Sequence, residues 1–172
     1  MHILELKRIQ HVTYRETEDI YNRLIKLSAY TQRFDEVYAF YKYLVAVLDE
    51  GSRYFYIMDD KNTIGICFLK NINRTDKKCQ MDVYIFDHEN IGKGYGGFAI
   101  RSILSIAFDE MRLHSVISFV HSNNERSVRA LTSIGFKEAG RLKESIFRNN
   151  QFYDEILFQI MESDFIHEAH GE

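Results

Sequence analysis

The chain of 172 residues has no proline, no tryptophan and only two cysteines. Cys67 and Cys79 both fall in β-rich segments, and no secretory pattern accompanies them. A disulfide is therefore not expected, and two isolated thiols are too few for a metal site; reduced, partly buried thiols are the expectation. The missing proline and tryptophan bear little on function. Also missing is any apolar run near the roughly 18 residues that a bilayer span needs. Residues 1–10 mix charged with apolar side chains instead of forming the apolar block of a signal peptide, so a cytoplasmic location is expected. Net charge is −3 with no dense basic cluster, which argues against a nucleic-acid partner. Internal repeats, low-complexity stretches and linkers are absent too.

What is present suffices for one compact core. Hydrophobic residues make up 45% and aromatic residues 14%, and a second domain of ordinary size would not fit, so residues 1–172 are read as one domain. The charged fraction of 27% is ordinary for a soluble globular chain.

After a short extended start, the first half reads as helical. Thr17-Glu18-Asp19 is a plausible helix opening, followed by Ile20, Leu24 and Leu27 at helical spacing. A second helix is predicted from Asp35 to Leu48, stopped by Gly51. Tyr54–Met58 and Thr63–Leu69 flank the turn-like Asp59-Asp60-Lys61-Asn62 and predict a hairpin. A third strand, Gln80–Phe86, precedes a glycine loop. A long helix follows, with Ile100, Ile103, Leu104, Ala107, Phe108 and Met111 on its buried stripe. Ser115–Val120 reads as a buried strand, and Asn124–Ile134 as a short helix closed by Gly135 in a left-handed cap. Strands around Phe136–Phe147 and Phe152–Met161 finish the pattern, which predicts a mixed sheet with helices on its faces.

The loop Gly92-Lys93-Gly94-Tyr95-Gly96-Gly97 carries the chemistry. Between a strand and a helix, missing side chains let a ligand approach the backbone, and the helix N-terminus suits a phosphate or pyrophosphate. The spacing Gly92-x-Gly94-x-x-Gly97 also fits a dinucleotide fingerprint. That motif calls for an acid about 20 residues on, at the end of the next strand, and Ser115–Val120 has none. A nucleotide-hydrolase phosphate loop would need Gly-Lys-Ser/Thr, which is missing.

Residues 80–161 resemble the GCN5-related N-acetyltransferase (GNAT) superfamily, in particular the branch of ribosomal-protein N-terminal and spermidine acetyltransferases. The resemblance rests on an ordered set: Met81-Asp82-Val83-Tyr84-Ile85, the Gly-Lys-Gly-Tyr-Gly core, Asn124-Glu125-Arg126-Ser127 and Ile134-Gly135-Phe136. Glu138-Ala139-Gly140-Arg141-Leu142 and Phe152-Tyr153-Asp154 extend it. It implies an α/β (α+β mixed) single domain. The central sheet would be mixed and mostly antiparallel, with a splayed parallel pair and helices on both faces. It further implies that the backbone of Tyr84, Ile85 and Phe86 runs beside the pantetheine arm of acetyl-coenzyme A. Residues Gly92, Lys93, Gly94, Tyr95, Gly96 and Gly97 would hold its pyrophosphate, and Asn124, with Ser127 nearby, would contact it from the far side. No metal is implied. Two positions depart from the family pattern: Ile91 replaces the usual Gln or Arg at the head of the loop, and Leu131 occupies the place of a tyrosine that often serves as general acid.

The implied reaction is direct attack of a neutral amine on the thioester. An alkyl ammonium of pKa about 10.4 must first lose a proton. Ser127 and Tyr153 are the candidate replacement acids; Ser127 follows Asn124 by one helical turn. Asp82, Glu144, Asp154 and His121 are candidate bases, with Asp82 the most informative because a carboxylate within a strand must meet water, a partner or a ligand. The implied acceptor is a small-molecule amine (a polyamine, an amino sugar or an aminoglycoside-like amine) or a protein N-terminus, and both are open. Glu16, Glu18, Asp19, Asp35 and Glu36 could draw a cationic acceptor, and the aromatic residues of the helical half suit a homodimer interface. Ile91 and Leu131 also motivate a different reading, a module that holds acyl-CoA without turning it over.

Overall fold

The computed structural model describes residues 3–27 and 34–169. Among the described residues, seven strands follow one another across a mixed sheet in the order β1-β2-β3-β4-β5-β7-β6. They are β1 (Leu4–Ile9), β2 (Arg53–Asp59), β3 (Asn62–Asn73), β4 (Lys78–Ile85), β5 (Ser115–His121), β6 (Lys137–Arg148) and β7 (Gln151–Met161). The helices are α1 (Tyr14–Leu24), α2 (Val37–Asp49), α3 (Tyr95–Ser105), α4 (Glu125–Ile134) and α5 (Glu162–Ala169). Contacts gather the chain into two compact units. The first comprises the described residues of Met1–Asn71 with Val83–Ile103; the second comprises those of Ile72–Asp82 with Leu104–Glu172.

In the first unit, α1 starts at Tyr14, with its cap at Thr13, four residues before Thr17. A capping box explains this: Thr13 Oγ1 accepts the Glu16 N–H at 3.2 Å, and Glu16 returns its carboxylate to the Thr13 N–H at 2.8 Å. These bonds hold the Glu16 carboxyl below its ordinary pKa. Thr17 instead lies on the buried face, its hydroxyl donating to the Thr13 carbonyl at 3.0 Å. On α2, Phe40 and Leu44 are buried with Ile20, Tyr21, Leu24, Tyr54, Ile66 and Phe86. Burial of side chains of this size stabilises by about 1.5–3 kcal/mol each. The antiparallel β2–β3 hairpin turns at Asp60, whose φ of +53° suits a short polar side chain. At Gly65 an added Cβ would collide with the Tyr84 carbonyl oxygen and come within 2.9 Å of Ile57 Cδ1. Glycine is needed there so that the end of β4 can approach β3.

In the second unit, β4 and β5 run parallel, with Lys78, Cys79 and Gln80 opposite Ser115, Val116 and Ile117. This register ends at Gln80, whereas the strands run on to Ile85 and His121. β5 pairs antiparallel with β7, and β7 with β6. Asn149 and Asn150, with φ of +50° and +59°, make the two-residue turn between β6 and β7. Asn124 caps α4 and Gly135, at φ +109°, closes it as expected. The buried stripe beyond α3 differs from expectation. Ile106–Glu110 forms a π turn, marked by the Met111 N–H bonding the Ile106 carbonyl at 3.0 Å. The wider turn leaves Met111 half-buried, and Leu113 is buried in its stead. α5 was not foreseen; its Phe165 packs on Phe108 with ring centroids 5.5 Å apart. Cys67 and Cys79 are free and buried, and burial raises both thiol pKa values, that of Cys79 to about 12.

Candidate functional site

The glycine loop lies in the first unit, where β4 gives way to α3. Gly92 and Gly94 take φ of +83° and +84°, conformations that glycine adopts without the Cβ penalty. The first helical bond runs from the Phe98 N–H to the Gly94 carbonyl at 3.0 Å. The N–H groups of Tyr95, Gly96 and Gly97 thus form the open first turn, with no intrahelical acceptor, where the dipole favours an anion.

Gly97 is the telling residue. It has no positive φ, and an added Cβ would meet nothing within 4 Å. Neither backbone strain nor packing accounts for a residue that costs a helix about 1 kcal/mol relative to alanine. Bare backbone at the mouth of a helix does fit a pyrophosphate. Lys93 is exposed beside it, its Nζ 5.9 Å from the Tyr95 ring centre.

Side chains tie down both ends of the connection from β4 to α3. At its start, Arg23 donates to the Thr63 carbonyl and to Asp87 Oδ2, both at 2.9 Å, while its guanidinium lies 4.3 Å from the Phe86 ring centre. At its end, the Tyr95 hydroxyl donates to Asp59 Oδ2 at 2.6 Å. A cavity of about 530 Å³ opens beside these ties, lined by Asp19, Arg23, Asp59, Lys61, Asp87 and Glu89 among others. Of the strand residues expected beside pantetheine, Tyr84 and Ile85 are half-buried and Phe86 is fully buried. The Phe86 N–H is already committed to the Ile64 carbonyl at 2.7 Å, and its own carbonyl accepts from Asn90 at 3.2 Å.

The other named residues lie in the second unit. Asn124 Oδ1 accepts the Ser127 N–H at 3.2 Å, and the Asn124 N–H reaches the His121 carbonyl at 2.9 Å, so the end of β5 and the start of α4 are joined. The Ser127 hydroxyl is half-buried and has no hydrogen-bond partner among the described residues. Leu131 is 3% exposed and packs inward with Ile134, so its position faces the core of this unit. His121 is buried opposite Glu155; burial, then Arg148, pushes its pKa down against the upward pull of Glu155.

Of the other candidates, Tyr153 donates its hydroxyl to Gln151 Oε1 at 2.9 Å along the same strand. Asp82 is half-buried, with the Gln80 amide at 3.4 Å. Asp154 accepts the Glu144 N–H at 3.0 Å and an Arg141 N–H at 3.5 Å, which hold its carboxyl below the usual range. It pins the β6 bulge at Glu144, itself exposed with φ +50°. Gly65, Arg23 and Asp59 were not singled out from sequence. Only Gly65 left a signal there, as a glycine inside a strand pattern.

Among the described residues, no group of three or more His, Cys, Asp and Glu side chains is placed to hold a metal ion, and no helix is long and apolar enough to cross a membrane.

The strand–glycine loop–helix arrangement in this mixed sheet is that of an acetyltransferase. Residues 8–137 match the model of the acetyltransferase (GNAT) domain, and the chain belongs to that family. A spermidine N(1)-acetyltransferase of Vibrio cholerae is 28% identical over 139 residues, covering 80% of this chain and 79% of that protein. The structure of a V. cholerae spermidine N-acetyltransferase in complex with CoA and spermine superposes with a TM-score of 0.83 at 25% identity, covering 95% of this chain and 98% of that one. A dodecameric spermidine N-acetyltransferase structure from the same organism gives a TM-score of 0.82 at 23% identity, over 97% and 98% of the two chains.

Proposed function

We propose that this acetyltransferase transfers the acetyl group of acetyl-CoA to a primary amine of a polyamine, by direct attack within a ternary complex, with residues 1–172 acting as one catalytic domain. The observation that carries the donor is the open first turn of α3, where Gly97 has no role in packing or backbone geometry. The polyamine assignment draws on the likeness to spermidine acetyltransferases, one of them solved with CoA and spermine. In this reading the N–H groups of Tyr95, Gly96 and Gly97 bind the pyrophosphate, Lys93 adds positive charge, and the backbone of β4 at Tyr84 and Ile85 guides the pantetheine arm.

The ammonium must lose its proton before attack. His121, kept neutral by burial, is in the right state to accept one through water, and Asp82 is the alternative base. The leaving thiolate is penalised at pH 7 by about 1.5 pKa units, or about 2 kcal/mol, if nothing protonates it. Ser127, with its hydroxyl uncommitted, is the first choice to supply that proton and Tyr153 the second. Leu131 lies in the core, so no acid acts from that position. Assembly as a homo-oligomer is part of the proposal, supported by the dodecameric neighbour.

The test is thiol release from acetyl-CoA with spermidine, spermine, amino sugars and N-terminal peptides as acceptors. Turnover with the polyamines is expected. Turnover with peptides alone would move the acceptor to a protein N-terminus. Tight CoA binding without turnover on any acceptor would leave a silent acyl-CoA-binding module.

A further inference from the structure

The loop 92–97 is built to be loose. Gly92 and Gly94 lie in left-handed conformations, and an added Cβ at Gly92, Gly94 or Gly97 meets nothing within 4 Å. Packing at these three glycines therefore does not fix where the first turn of α3 points. A tie of a different kind is present. Tyr95, the first residue of α3, directs its hydroxyl away from the turn to Asp59 Oδ2 at 2.6 Å, the length of a strong bond to a carboxylate. Asp59 is the last residue of β2, paired with Leu4 of β1 on one side and Asn62 of β3 on the other, so its backbone is anchored on both edges. The bond also raises the Tyr95 phenol pKa, which keeps that group a donor through the neutral range.

We infer that Asp59 is a positioning residue for acyl-donor binding: through the Tyr95 hydroxyl it sets where α3 begins, and so where the N–H groups of Tyr95, Gly96 and Gly97 converge. The inference rests on the acetyl-CoA reading above and adds to it. The phenol serves as a latch turned toward β2, and the contribution of Tyr95 to the anion comes from its backbone. Ordering this loop before the ligand arrives removes an entropic cost from binding. The carboxylate acts through the phenol, so its effect falls on affinity for the donor. Arg23 and Asp87 restrain the opposite end of the same connection and line the same cavity, so the loop is held at both ends.

Calorimetric titration of coenzyme A into the full chain tests this. Tyr95→Phe is the principal variant, because it removes one oxygen and keeps the ring in place. Tyr95→Phe and Asp59→Ala should each bind coenzyme A about tenfold more weakly than the parent. The double variant should be no weaker than Asp59→Ala alone, since both changes break one bond. Asp59→Asn keeps a carbonyl that can accept from the phenol, and should stay within about threefold of the parent. Equal affinity in the parent and Tyr95→Phe, or additive losses in the double variant, would overturn the latch while leaving the donor assignment standing. No binding by the parent chain would overturn the donor assignment, and the latch with it.

Discussion

The two compact units solve different problems in different ways. In the first, the segment proposed to meet the acyl donor is secured by named bonds: Arg23 to Asp87 at one end and Tyr95 to Asp59 at the other. In the second, the residues proposed for proton transfer are spread over four elements. Asp82 lies on β4, His121 ends β5, Ser127 lies in the first turn of α4, and Tyr153 lies on β7. Leu131, at the position from which a family acid often acts, is turned into the core. On the proposed reading, donor binding is the constrained function, and protonation of the leaving thiolate is the adaptable one: an unprotonated thiolate costs about 2 kcal/mol, which slows turnover without abolishing it.

The contrast can be broken most forcefully at Gly65. A Gly65→Val side chain must displace the Tyr84 carbonyl or Ile57, so it should destabilise the protein by about 3 kcal/mol in urea denaturation and weaken coenzyme A binding as well. Unchanged stability would mean that β4 is not held where described.

A smaller effect is expected across the contrast, at Ser127. Ser127→Ala should lower kcat about tenfold and leave coenzyme A affinity unchanged; an unchanged kcat removes Ser127 from the acid role.

The smallest effect is a pH dependence at His121. Its folded pKa lies below the ordinary 6.5, so the unfolded chain binds the proton more readily. The contribution to stability is complete above about pH 6.5 and is lost as pH falls through the folded pKa. Urea midpoints measured from pH 7.5 down to 5 should fall, and His121→Asn should flatten that slope. An equal slope in the variant would assign the pH dependence to other groups.

Much of this was legible from sequence, for physical reasons that differ by element. Four glycines in six residues between a strand and a helix announce a backbone that something must approach, and Gly135 and Asn124 carry the local chemistry of helix caps. The start of α1 was misplaced because Thr13-x-x-Glu16 and Thr17 compete as caps, and only burial shows that Thr17 lies on the inner face. The π turn at Ile106–Glu110 leaves no periodic trace, so Met111 was assigned to a stripe that Leu113 occupies. That Asp154 pins the bulge at Glu144 was not legible, because the bond joins residues ten positions apart across two strands. The ties at Asp59–Tyr95 and Arg23–Asp87 join residues 36 and 64 positions apart, beyond the reach of any local pattern.

The central claim is that the first turn of α3 exists to bind the acyl donor, and Gly97→Ala tests it most directly. An alanine there fits the open space and improves helix propensity, so thermal unfolding should shift upward, by the equivalent of up to about 1 kcal/mol. Coenzyme A titrated into the same variant should bind several-fold more weakly than to the parent, because the new methyl group obstructs the pyrophosphate. A variant that is more stable and binds coenzyme A as well as the parent would contradict the assignment of this loop.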